Sequence, residues 1–255
     1  MATVSTKAIL FDSTLCIGCK LCEQACAERN GLTYDDSVAA QESFSDKKLS
    51  FVVTRDDKFM RRLCMNCDDP TCASVCPVGA FQKTELGPVV YDQSRCIGCR
   101  YCMMACPFQV PGYQWGERLP IVKKCDMCAD RVAAGGVTAC TEACPTGATK
   151  FGDRDTLISE ARERIRANPE GYIDHIYGLT EVGGTSVLLL SGTPFDQFGY
   201  RMDLLHEPLP QLTWRVLQHV PDIVATGSVL LSGIWWITHR REEVATAEAA
   251  ERKSA

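Results

Sequence analysis

Sixteen cysteines lie between positions 16 and 144 of this 255-residue chain, and no others occur. They form four groups of four: Cys16, Cys19, Cys22 and Cys26; Cys64, Cys67, Cys72 and Cys76; Cys96, Cys99, Cys102 and Cys106; Cys125, Cys128, Cys140 and Cys144. Thiols grouped like this can pair as disulfides, close around zinc, or ligate iron–sulfur clusters. A disulfide framework belongs to small exported domains. The opening "MATVSTKAILFDSTL" has no apolar export segment and no Arg-Arg pair, so it reads as lacking an export signal of its own. A structural zinc takes a closed tetrahedron from two separated C-x₂₋₄-C pairs. The first and third groups instead crowd four thiols into eleven residues. Three cysteines at C-x₂-C-x₂-C wrap one face of an object larger than an ion, and the x₃-C that follows points along a helix toward a second site.

That run, C-x₂-C-x₂-C-x₃-C-P, is the bacterial ferredoxin spacing, in which the fourth cysteine ligates the other cluster. Three groups end in Cys-Pro, at Cys76-Pro77, Cys106-Pro107 and Cys144-Pro145. Proline fixes φ and turns the chain sharply beside the last ligand. Cys26 is followed by Ala27 and departs from the pattern. Gly18 and Gly98 sit where the backbone must curl around a cluster and aim its amides at sulfur. Sixteen thiolates, four to a cluster, make four [4Fe–4S] clusters, and the chain reads as two copies of a two-motif unit.

The elements that position these cysteines are short. Strand patterns occur at Lys7 to Asp12, Lys48 to Arg55 and Gly87 to Asp92, and helical stretches at Lys20 to Asn30 and Arg100 to Cys106. The fold class expected is α+β: two bacterial-ferredoxin-like 4Fe-4S units of small antiparallel hairpins and short helices over residues 1–152. A C-terminal extension over 153–219 follows, with a capped amphipathic helix beginning at Asp153, a strand from Thr185 to Gly192, and an extended arm.

From Lys7 to about Gly152 the sequence resembles the four-cluster iron–sulfur subunit of respiratory molybdoenzymes and related hydrogenases. "DSTLCIGCKLCEQAC", "CIGCRYCMMACPFQVPGY" and "KKCDMCADR" carry the resemblance. It implies that outer motifs pair and inner motifs pair. Cys16, Cys19, Cys22 and Cys144 would then hold one cluster, and Cys26, Cys125, Cys128 and Cys140 a second. Cys64, Cys67, Cys72 and Cys106 would hold a third, and Cys76, Cys96, Cys99 and Cys102 a fourth. Nitrate reductases of this family have tryptophan where Cys102 stands, so the resemblance disfavours that assignment. "HIYGLTEVGGTSVLLLSGTPFDQFG" is similar to the extension of the formate dehydrogenase-N β subunit and of the iron–sulfur protein of quinone-reducing nickel–iron hydrogenases. Subunits of dimethyl-sulfoxide-type reductases generally end without it. The resemblance implies a non-catalytic electron wire. One partner would be a catalytic subunit carrying molybdopterin, tungstopterin or nickel–iron; the other, an integral membrane cytochrome b or quinone-reactive subunit. Formate or hydrogen oxidation is the preferred partner reaction; reduction of sulfur, arsenic or selenium oxyanions is the alternative, and a membrane-anchored sensor a more distant one.

"IVATGSVLLSGIWWIT" carries no charge. Extended over 220–239 it approaches the ~20 residues that span a bilayer, with Trp235 and Trp236 at one end and Trp214 upstream. Its length alone also allows a buried core helix; the single C-terminal anchor that the resemblance implies makes residues 220–239 the expected transmembrane span. Arg240 and Arg241 would place the tail, 240–255, in the cytoplasm and the cluster domain in the periplasm. The chain would then cross folded with a partner bearing a twin-arginine signal. The net charge of −5 does not suit a nucleic-acid binder. No nucleophile–base constellation or dinucleotide fingerprint is present. His175, His206, His219 and His239 have no metal-ligand spacing, although His219 and His239 flank the span and could approach a partner's haem. Lys20, Arg61, Arg62, Arg95, Arg100, Lys123 and Lys124 crowd the motifs and are expected to offset the clusters' negative charge. Asp68 and Asp69 are expected to cap a turn, and "VGG" at 182–184 to turn the chain before a strand.

Overall fold

The computed structural model describes residues 5–118 and 120–254. The chain divides into two units, Met1–Pro210 and Gln211–Ala255. In order the first unit carries β1 (Lys7–Asp12), α1 (Leu21–Arg29), α2 (Asp36–Ala39), β2 (Phe51–Arg55), β3 (Lys58–Arg62), α3 (Thr71–Ser74), β4 (Phe81–Lys83), β5 (Val89–Tyr91), α4 (Tyr101–Ala105), β6 (Gly112–Tyr113), β7 (Val122–Lys123), α5 (Ala129–Ala133), α6 (Ala139–Glu142), β8 (Thr149–Asp153), α7 (Arg154–Ala167) and β9 (Val187–Leu190). This is the expected α+β mixture of ferredoxin-like hairpins and short helices.

One three-stranded sheet, ordered β8-β1-β9, ties the chain's beginning to the extension. β1 runs antiparallel to β8, with Lys7 opposite Asp153, and parallel to β9, with Ile9 opposite Val187. Successive strand side chains face opposite ways. Ala8, Leu10, Leu188 and Leu190 therefore pack with Leu157, Ile158 and Ala161 of α7. Ile9, Phe11, Val187 and Leu189 face the other core, beside Cys140 and the partly buried Cys16, Cys22, Cys64, Cys67, Cys106 and Cys144. Burial of each such side chain stabilises by roughly 1.5–3 kcal/mol, so the sheet gives the cysteine loops a stiff floor. Asp153 stands at the start of α7 but does not cap it. Its carboxylate accepts from Lys7 Nζ at 2.6 Å, because the β1–β8 register sets these residues opposite each other.

Three two-stranded hairpins follow: β2–β3, β4–β5 and β6–β7. Asp56 and Asp57 turn the first, both with positive φ (48° and 58°), as a two-residue hairpin turn requires. The strand pattern at Lys48 to Arg55 marks β2, but its partner β3, "KFMRR", shows no alternation because a charged residue, Arg61, occupies an inward position. Phe81 of β4 and Val89 of β5 form a third core with Cys102, Tyr113 and Val122. The turn expected at 182–184 is present, with φ of 50°, 85° and 99° at Val182, Gly183 and Gly184. Among the described residues the Asp68 carboxylate caps no turn; it pairs with Lys83 at 3.5 Å and Arg154 at 3.3 Å.

The arm expected to be extended is helical over α8 (Leu209–Leu217). Pro210 lies in its first turn, where a missing N–H costs nothing, and Leu212 and Val216 follow at helical spacing. In the second unit α9 (Val220–Ser254) continues through the described part of the expected tail. Leu209–Ala250 is the one helical stretch, among the described residues, long and apolar enough to cross a membrane. Ile223, Leu230, Leu231, Ile234, Trp235 and Trp236 are all exposed.

Candidate iron–sulfur centres

The four C-x₂-C loops turn by the same device. The residue before the second cysteine is left-handed in each: Gly18 at 69°, Asn66 at 48°, Gly98 at 71° and Met127 at 55°. This turn points an amide back at the first sulfur: Gly98 N lies 3.4 Å from Cys96 Sγ, and Met127 N 3.4 Å from Cys125 Sγ. The residue after the second cysteine, Lys20 or Arg100, is again left-handed and starts α1 or α4. The repeat seen in the letters is thus a repeat of backbone. Further amides reach sulfur: Ala80 N at 3.2 Å from Cys76 Sγ and Ala139 N at 3.4 Å from Cys128 Sγ.

All sixteen cysteines are free thiols. Cys16, Cys19, Cys22 and Cys144 line one cavity, with Phe11 and Val52. Cys64, Cys67, Cys72 and Cys106 line another, with Val89 and Lys124. Cys26 lies within electrostatic reach of Cys128 and Cys140, and Cys125 within reach of Cys26 and Cys140. Cys102 is within reach of Cys96 and Cys99, and Cys76 packs against the core containing Cys102. Among the described residues, no three Cys, His, Asp or Glu side chains converge closely enough for a single metal ion. The thiols ring larger spaces, which suits a multi-iron cluster better than zinc.

Neighbouring sets approach one another. Cys22 is within electrostatic reach of Cys140, Cys125 of Cys64, and Cys72 of Cys102. Burial pushes the thiols of Cys22 and Cys102 up to about 11, and of Cys26 and Cys72 up to about 12. Two thiols go the other way. At Cys140 burial is outweighed by Arg61 and by the Thr138 hydroxyl, 3.3 Å away. At Cys144 burial is outweighed by backbone N–H groups of Thr149, Thr146 and Ala148 and by the Thr146 hydroxyl.

Of the seven cations near the motifs, two are buried. Lys20, Arg62 and Arg95 donate to carbonyls, and Arg100 lies over the Tyr113 and Trp115 rings. Lys124 is buried and donates to Val89 O at 2.5 Å and Cys125 O at 3.1 Å. Arg61 is 1% exposed, and its Nε and Nη1 have no hydrogen-bond partner among the described residues. It hydrogen-bonds the Cys140 thiol and lies within electrostatic reach of Cys22 and Cys26. The Tyr91 hydroxyl is likewise buried, beside the Cys96 thiol and the Val122 backbone N–H. Unpaired buried donors are costly; donors aimed at thiol-lined spaces fit an anionic, sulfur-rich group. The sequence could not mark Arg61 or Tyr91 among similar residues, nor Thr138. It also missed a buried pair that braces the first loop: Lys48 Nζ lies 2.8 Å from Glu23 Oε2, while Glu23 Oε1 accepts from Val52 N.

Among the expected histidines, His175 bonds Glu181 at 2.6 Å and His239 stacks on Trp235.

Comparison with known proteins agrees with this geometry. Profiles of the 4Fe-4S dicluster domain match residues 15–80 and 56–154. The chain is 34% identical over 231 residues to the hydrogenase-2 operon protein HybA of Escherichia coli O157:H7, covering 74% of this chain and 70% of that one. It is 34% identical over 204 residues to the iron–sulfur subunit of the nitrate-inducible formate dehydrogenase of Escherichia coli K12, covering 71% and 66%. With the B subunit of the anaerobic dimethyl sulfoxide reductase of the same strain it shares 43% identity over 152 residues, covering 58% and 73%. The chain belongs to this family of respiratory iron–sulfur subunits built from 4Fe-4S dicluster domains. Its work is electron relay through 4Fe-4S clusters.

Proposed function

We propose that the chain is the electron-relay subunit of a membrane-bound respiratory oxidoreductase and holds four [4Fe–4S] clusters. The sets are Cys16, Cys19, Cys22 and Cys144; Cys26, Cys125, Cys128 and Cys140; Cys64, Cys67, Cys72 and Cys106; and Cys76, Cys96, Cys99 and Cys102. The observation that carries this reading is that two cavities are each lined by four cysteines from separate motifs. When bound, each cluster takes up and gives back one electron. The chain's residues hold it by thiolate, donate amides to the sulfurs and keep water out with Phe11, Val52, Val89 and Phe108. The neighbouring sets described above favour a linear order beginning at the Cys16 set and ending at the Cys76 set.

Both ends of that order carry exposed apolar side chains: Leu15, Ile17 and Leu21 at one, Ile97, Tyr101, Met104 and Trp115 at the other. Such surfaces suit docking of an electron donor and acceptor. The matches to the hydrogenase-2 and formate dehydrogenase proteins cover more of this chain than the match to the dimethyl sulfoxide reductase subunit. That favours a catalytic partner of formate dehydrogenase or hydrogenase type and a membrane cytochrome b or quinone-reactive acceptor. The higher identity to the reductase subunit, within its shorter match, supports an oxyanion reductase as the second reading. The apolar run of α9 would anchor the chain, with Arg240 and Arg241 on the cytoplasmic side and the cluster domain in the periplasm.

Iron quantitation with EPR of the reduced protein tests the relay. The expected result is four interacting [4Fe–4S] signals, all reduced within turnover by the catalytic partner. Fewer clusters, or none reduced on that timescale, would refute it. Reporter fusions after Ser254 are expected to read cytoplasmic.

A further inference from the structure

Arg61 heads the fully buried side chains by volume among the described residues. It sits on the inner face of the β2–β3 hairpin, opposite Val52. Arg62, next along the strand, points away; it donates to Phe198 O and Gly199 O and lies 4.4 Å from the Tyr200 ring centre. A guanidinium this deep needs an anion. The carboxylate on α1 facing the hairpin, Glu23, is taken by Lys48, Tyr34 and Val52 N. Arg61 donates from Nη2 to neutral Ser50 at 3.3 Å and hydrogen-bonds the Cys140 thiol, while its Nε and Nη1 have no acceptor among the described residues. The groups within its electrostatic reach are sulfurs from two different sets: Cys22 of one, Cys26 and Cys140 of the other. Lys124 is the instructive contrast: also buried, also near two sets, it has backbone carbonyls for its protons.

We propose that Arg61 is an electrostatic anchor shared by two clusters, those of the Cys16 and Cys26 sets, and that it raises the reduction potentials of both by donating from the seam between them. The proposal rests on the ligand sets proposed above. Uptake of one electron adds one negative charge to a cluster and breaks no bond in the chain. A fixed cation and its N–H donors favour that reduced state, and the dry surroundings strengthen the effect. One side chain facing both sets acts on both potentials in the same direction.

The test is an EPR-monitored redox titration of the full-length holoprotein, its signals assigned by their loss in Cys16→Ser and Cys125→Ser variants. In Arg61→Met the signals of the Cys16 and Cys26 sets are expected to move to more negative potential, the other two staying in place. Arg61→Lys, which keeps the charge, should restore most of the shift, and Arg62→Met should move nothing. A titration in which neither signal moves, or only one, overturns the shared anchor, as does an equal shift in Arg62→Met. If Arg61→Met assembles no clusters, Arg61→Lys decides. Retention of both with potentials near those of the unaltered protein supports the charge role, and loss of both there shows a packing role and overturns it. Fewer than four clusters in the unaltered protein would instead overturn the ligand sets beneath the proposal.

Discussion

Cys26 differs from the other motif-ending cysteines in having alanine, not proline, after it. It lies within α1, so the helix continues past it to Arg29 instead of turning away. Helical geometry separates it from Cys22 by about one turn. The two sulfurs then serve different spaces: Cys22 lines the cavity of Cys16 and Cys144, while Cys26 is within electrostatic reach of Cys128 and Cys140. Burial lifts its thiol to about 12, and Arg61 acts against that rise. Cys26→Ser is therefore expected to remove or convert the cluster of the Cys125 set while the Cys16 set keeps its signal. EPR and iron content of the purified variant check this; loss of the Cys16 signal alone would show the pairing to be wrong. The cysteines, their grouping and the kind of cofactor were all readable from spacing, because metal-ligand chemistry leaves little choice of residue. The polar shell was legible only in part: Arg61 stood among seven candidate cations, but its burial, and that of Glu23 and the Tyr91 hydroxyl, is something composition does not record.

At the scale of elements, the C-x₂-C turn is the repeated unit, and its cost differs from copy to copy. Gly18 and Gly98 take the left-handed region without a steric penalty, whereas Asn66 and Met127 take it with side chains attached. A Cβ at Gly18 would stand 2.4 Å from the Phe59 ring, and at Gly98 3.1 Å from Tyr113 Oη. Gly18→Ala is thus expected to destabilise by roughly 1–3 kcal/mol, combining backbone strain with displacement of Phe59. Gly98→Ala should cost less. Denaturation midpoints of the two holoproteins measure the difference; equal losses would mean that Phe59 yields freely. The glycine turns were legible because glycine is the residue that marks them. Asn66 and Met127 were not, since loop closure overrides their own preference. β3 was hidden for a related reason: strand reading depends on alternation of apolar and polar residues, and an inward Arg61 erases it. The helix at α8 was obscured by the prolines before it, which suggest irregular chain although Pro210 fits a first helical turn.

For the molecule as a whole, the cysteines and the apolar run fall in different units. The three apolar cores draw on no described residue beyond Leu209. α9 leaves its large apolar side chains exposed over most of an uncharged stretch, more than a protein surface ordinarily shows in one place. The described cores of the first unit are thus built from that unit's own side chains, and the uncharged stretch of α9 suits an apolar environment. A chain ending at Pro210 is therefore expected to fold, to bind its clusters and to keep its absorbance and EPR signals. It should leave the membrane fraction for the soluble one when expressed without its partners. Membrane fractionation followed by iron and EPR analysis distinguishes the outcomes. A truncated chain that stays with the membrane would move the attachment to the cluster unit. One that is released but has lost its clusters would show that α9 supports the first unit's folding.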